Sequence, residues 1–202
     1  MPISLRERKR TETWNALHEA AADLALSHDG LGSVTIDAIV ARANVSARTF
    51  FNYFDTKEDA ILGFREPLID DEMLAGFTGS TGPLVTRVAD FYFDLVQMSR
   101  TTGAGRQRRM QIVQRHPELT NRQFTHFAQV ETLITEVVLD HLESQHPGDP
   151  GNNHRADTLV QACGAAHRIA LRHATPAAAA KDDRPTMHDA LSHLREVLQT
   201  TP

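Results

Sequence analysis

Apolar residues recur at steps of three and four along most of the chain, and no convincing period-two alternation appears. Trp14, Leu17, Ala21, Leu24 and Ala25 form the first stripe and predict one long helix from about Leu5 to His28, broken by Asp29-Gly30-Leu31-Gly32. Ile36, Ile39 and Val40 predict a short second helix. Thr35 is placed to cap it and Asp37 suits its positive end, while Asn44 tolerates the left-handed turn that stops it. Ser46 caps a third helix expected from Ala47 to about Phe54, with Phe50 and Phe54 four apart and facing inward. Thr56 caps a fourth, which starts at Lys57-Glu58-Asp59, runs through Ile61, Leu62 and Phe64, and is disturbed at Pro67. The pattern resumes through Ile69, Met73 and Leu74.

Gly76 to Pro83 reads as a loop, close to the boundary between two expected domains, 1–65 and 66–202. Beyond it Leu84, Val88, Phe91, Tyr92, Leu95 and Val96 make one stripe, with Phe93 and Met98 off it. Thr101 to Gly105 breaks that helix, and Arg106, Arg108 and Arg109 read as a solvated basic face. A long helix is expected from about Leu119 to Gln145, burying Phe127, Val130, Ile134, Val137, Val138 and Leu142. His146 to Asn153 is a loop, and a break follows at Pro176 with its alanine run. Two amphipathic helices close the chain, the first rich in small residues that allow close packing. Their expected role is a four-helix interface with a second copy, built from Leu159, Ala162, Cys163, Ala166, Ile169, Leu191, Leu194 and Leu198. The fold class expected is all-α.

The short second and third helices, joined by a tight turn, make a helix-turn-helix, a unit whose second helix enters the DNA major groove. Arg48 suits bidentate contact with guanine and Asn52 suits adenine, while Thr49 and Tyr53 can donate to phosphates. Lys57 adds a cation at a helix start. The stretch VTIDAIVARANV followed by SARTFFNYFDTKEDAIL resembles the DNA-binding domain of the tetracycline-repressor (TetR) family of bacterial regulators. Its TFFNYF variant resembles a subgroup common in actinobacteria. The resemblance implies that Thr35, Ala47, Arg48, Thr49, Phe51, Asn52, Tyr53 and Lys57 face DNA. It also implies pairing through the final helices and a repressor released from its operator by a small-molecule effector in the C-terminal domain. Two positions depart from the family pattern: Asn44 stands where Gly is commoner, and Phe51 where Tyr is frequent.

Composition complicates this reading. The net charge is −5, and residues 1–58 hold seven Lys and Arg against eight Asp and Glu. DNA contact must then come from cations placed well rather than in number, such as Arg6, Arg8, Lys9, Arg10, Arg42, Arg48 and Lys57. One cysteine, Cys163, excludes an internal disulfide framework, and no apolar run suits a signal peptide or membrane span, so a cytoplasmic protein is expected. Eleven histidines invite a metal reading, but His141/His146 and His188/His193 are five apart, and Glu143-x-x-His146 occurs once. No metal, cofactor or catalytic residue is expected. The competing class is a small helical metal-binding or enzymatic bundle with a helix-turn-helix-like start.

Overall fold

The computed structural model describes residues 5–99, 104–173 and 184–200, and among these every regular element is helical. The α-helices are α1 (Leu5–Ser27), α2 (Ile36–Ala43), α3 (Ala47–Phe51), α4 (Lys57–Leu62) and α5 (Asp71–Gly79). They continue as α6 (Leu84–Met98), α7 (Ala104–Arg115), α8 (Thr120–Gln145), α9 (Asn152–His173) and α10 (Arg184–Thr200). Two compact units form, one of residues 1–65 with 100–124, the other of residues 66–99 with 125–202. No helix among the described residues is long and apolar enough to cross a membrane.

In the first unit α1 packs on α2, α4 and α7. Leu17, Ala21, Val34, Ile39, Phe50, Ile61, Leu62 and Ile112 are wholly buried there. The local signals explain the short helices. Thr35 accepts the Ala38 N–H at 3.1 Å, Ser46 accepts that of Thr49 at 3.1 Å, and Thr56 accepts that of Asp59 at 3.2 Å. Asn44 adopts the left-handed conformation (φ 54°, ψ 47°) that ends α2.

Several boundaries differ from expectation. α3 stops at Phe51, because the Phe50 carbonyl accepts both the Tyr53 and Phe54 N–H groups and closes the last turn. Asn52 and Tyr53 thus lie just beyond the helix. α4 stops at Leu62 rather than passing through Phe64, since Gly63 turns left-handed (φ 63°). Asp70 caps α5, whose helix extends to Gly79 and takes in half of the expected loop. Thr101 to Gly103 lie outside the described residues, and Gly105 is inside α7.

The basic run also needs correction. Arg109 is buried, its Nε donating to the Leu62 carbonyl at 2.6 Å, and Arg108 pairs with Asp23. Hydrogen bonding to α4 and α1 took them off the solvated face.

The second unit is built on α6, α8, α9 and α10, with Tyr92, Leu95, Ile134, Val138, Val160 and Met187 at its centre. Phe93, expected off the stripe, is buried too, within the core of this unit and with the Arg184 guanidinium 4.8 Å from its ring centroid. The 146–151 loop is fixed by buried Asn152, which donates to Glu143 at 2.8 Å and to the His146 carbonyl at 2.9 Å. Pro176 and the alanine run lie outside the described residues.

Candidate nucleic-acid interface

The residues of α3 and of the turn that follows it sort cleanly by side. Phe50 and Phe54 are buried and Phe54 stacks against Trp14 at 5.4 Å, so these two aromatics anchor the helix. Ala47, Arg48, Phe51 and Asn52 are exposed on the other side, and Thr35 is exposed at the start of α2. Phe51 leaves 56% of its surface open, with its ring held edge-on to Phe50 at 5.4 Å. Thr49 and Tyr53 are half-buried; the Thr49 and Ser46 hydroxyl oxygens are 2.9 Å apart. An open face with one guanidinium, one amide, hydroxyls and an apolar ring carries the donor and acceptor types that base edges and phosphates require.

Lys57, expected to bind phosphate at the start of α4, also makes contacts within the chain. Its Nζ donates to the Leu31 carbonyl at 2.7 Å and the Val34 carbonyl at 2.9 Å. Two of its three N–H groups thus tie α4 to the turn before α2, leaving one for another acceptor.

Charge gains meaning from the division into units. Residues 1–65 and 100–124 together hold fourteen Lys and Arg against ten Asp and Glu, whereas the second unit holds seven against sixteen. Arginines of the 104–122 segment also neutralise acids of the first unit: Arg108 meets Asp23, Arg115 meets Asp29 and Arg122 meets Asp59. Burial would raise the Asp23 pKa, but Arg42 and Arg108 outweigh it and hold that carboxyl below its ordinary range.

His18 is a residue that periodicity did not single out. It is buried in α1, and its Nδ1–H donates to the Ala60 carbonyl at 2.7 Å, which fixes the tautomer. Burial above all, helped by the charges of Arg109, Arg108 and Arg65, lowers its pKa to about 4. His18 is therefore neutral at pH 7.

In the second unit, the residues expected to face a second copy divide in two. Cys163, Ala166 and Leu191 are buried in the chain's own core, where apolar packing consumes them. Leu159 packs partly against that core, Ala162 and Leu194 are half-buried, and Ile169 is exposed. The Leu198 side chain lies outside the described residues. Burial pushes the Cys163 thiol up to about 12, which makes it an inert core group.

A polar network interrupts this apolar core. Buried Glu131 accepts from Arg168 at 2.9 Å, Gln161 at 3.2 Å and the Tyr92 hydroxyl at 3.3 Å. Its carboxylate lies against the α9 backbone at Gly164, where an added Cβ would stand 2.2 Å from Oε1. Ordinarily alanine stabilises a helix interior by about 1 kcal/mol over glycine. Here Gly164→Ala is expected to lower the stability of the second unit by about 1–3 kcal/mol, by expelling the carboxylate from its donors. Thermal unfolding followed by circular dichroism reads the sign, and a stabilised variant would contradict this packing. Among the described residues, no three His, Cys, Asp or Glu side chains are grouped to hold a metal ion.

A capped helix-turn-helix with an outward polar face, within an otherwise helical chain, defines a DNA-binding transcriptional regulator. The chain matches the tetR family of bacterial regulatory proteins over residues 18–61 and the MftR C-terminal domain over residues 83–199. It belongs to the tetR family. No curated protein matches it.

Proposed function

We propose that the protein is a homodimeric repressor that reads a near-palindromic operator and releases it when a small-molecule effector binds the second unit. The observation that carries this is the face made by α3 and the turn after it, where Phe50 and Phe54 are buried while Arg48, Phe51 and Asn52 stay open. Arg48 and Asn52 read base edges, and Ala47 and Phe51 make the apolar contacts of the same face. Thr35, Thr49, Tyr53 and the remaining N–H of Lys57 bind phosphates. The excess of basic residues in the first unit supports this assignment.

Pairing uses the parts of α9 and α10 that the core leaves open, with Ala162, Ile169, Leu194 and Val197 as its apolar residues. A dimer reads DNA when its two α3 helices stand about 34–36 Å apart, one helical turn of the duplex. An effector that favours a different spacing releases the operator, by as much as its preference between the two states. The Glu131 network supports the effector reading, because a helical core built only for stability gains little from a buried carboxylate. The protein acts in the cytoplasm.

Selection of random duplexes with the full-length protein tests the proposal. An enriched near-palindrome, bound by two copies in sedimentation, is expected. Enrichment of no duplex, or binding by a single copy, would contradict it.

A further inference from the structure

α4 has six residues, too few to hold a helical axis unaided. Its neighbours hold it at both ends. At the first turn, Arg122 grips the Asp59 carboxylate with two parallel bonds, Nε to Oδ1 and Nη2 to Oδ2, each 2.6 Å. The same Oδ2 accepts the hydroxyl of the cap residue Thr56 at 2.6 Å. The Asp59 bond raises the Arg122 pKa further. At the last turn, Arg109 donates to the Leu62 carbonyl at 2.6 Å, and its guanidinium lies 5.7 Å from the Phe64 ring centroid.

Both arginines come from the 104–122 segment, which is itself fastened to α1. His116 Nε2–H donates to the Ala25 carbonyl at 2.7 Å, and Ile112 and Leu119 are buried in the core of the first unit. The segment therefore acts as a yoke around α4. Only Asn52 to Asp55 separate the end of α3 from Thr56, so the seat of α4 limits where α3 can point.

We propose that Arg122 is a positioning residue for DNA reading: its fork on Asp59 seats α4 and thereby sets the angle at which α3 presents Arg48 and Asn52. The proposal rests on the assignment of α3 as the reading helix. Arg122 stands in the first turn of α8, the helix whose later residues, from Thr125, belong to the second unit.

The test uses full-length protein, the duplex that the unchanged protein enriches, and an unselected duplex of equal length. Arg122→Lys keeps the charge but cannot make two parallel bonds to one carboxylate. It is expected to lose about tenfold in preference for the selected duplex, comparable to one mismatched base pair. Binding to the unselected duplex and its salt dependence stay unchanged. Asp59→Asn gives the same loss from the other side of the pair. Trp14, the single tryptophan, lies in the first unit and reports whether that unit remains folded. Retention of full preference by both variants overturns the proposal. So does an equal loss on both duplexes with a changed Trp14 emission, which marks a purely structural role. If the unchanged protein enriches no duplex, the reading-helix assignment fails and this proposal fails with it. Enrichment with full preference in the variants sinks only the positioning role.

Discussion

Gly63→Ala is expected to destabilise the first unit by about 2–5 kcal/mol, a large effect for one methyl group. Gly63 ends α4 at φ 63°, where an L side chain costs about 1–2 kcal/mol. A Cβ there would also stand 2.7 Å from His18 Cε1 and 2.9 Å from both ring nitrogens. The imidazole has little room to yield, since Nδ1 is bonded to the Ala60 carbonyl and the ring stacks on Trp14 at 5.3 Å. Relieving the overlap adds about 1–3 kcal/mol. Urea unfolding followed by Trp14 fluorescence measures the loss. His18→Ala combined with Gly63→Ala should cost less than the two single changes added together, because the steric part disappears with the ring. A loss below about 1 kcal/mol for Gly63→Ala would mean that the ring moves freely.

The second large effect is on pH dependence. His18 has a folded pKa of about 4 against 6.5 for the free side chain. Between these values the unfolded chain binds the proton and the folded chain does not, so stability falls as the pH falls. This contribution, about 3 kcal/mol in all, is intact above about pH 6.5, is lost progressively as the pH falls through the window, and is gone below about pH 4. The Trp14 signal should show the first unit weakening across that range at constant ionic strength. His18→Gln retains an N–H donor but cannot titrate, so its stability should lose most of this slope. An unchanged slope in His18→Gln would assign the effect to other groups.

What the sequence revealed was local. Thr35, Asn44, Ser46 and Thr56 act on backbone groups within three or four residues, and each one performs the capping or turning role its chemistry announced. Phe50 and Phe54 are both buried as their spacing predicted, although Phe54 lies beyond the end of α3. Two of the misreadings involve partners far along the chain. Arg109 looked solvated because its acceptor, the Leu62 carbonyl, lies 47 residues away. Phe93 lay off the stripe of α6, and its contact with Arg184 joins positions remote in sequence. The end of α4 was a local miss: Gly63 is itself a helix-ending residue, and the apolar run through Phe64 masked it.

The 100–124 segment shows the same limit at the level of the unit. Periodicity says that a helix has a buried side but not which core receives it. The second family match begins at residue 83 and includes this segment, yet Ile112 and Leu119 bury in the first unit. Packing also divided the small-residue stripe of α9. Cys163 and Ala166 fill the monomer's own core, leaving Ala162 and Ile169 nearer the surface, a split that small side chains alone do not encode.

Fluorescence anisotropy with the enriched duplex, comparing the unchanged protein and Arg48→Ala across salt concentrations, tests the central claim that α3 reads DNA. The account predicts specific binding by the unchanged protein and a loss of about 1–3 kcal/mol in discrimination by Arg48→Ala. Its salt slope should change little if Arg48 contacts a base rather than a phosphate, as this account proposes. Equal discrimination by the two proteins would contradict the assignment of Arg48 to a base edge.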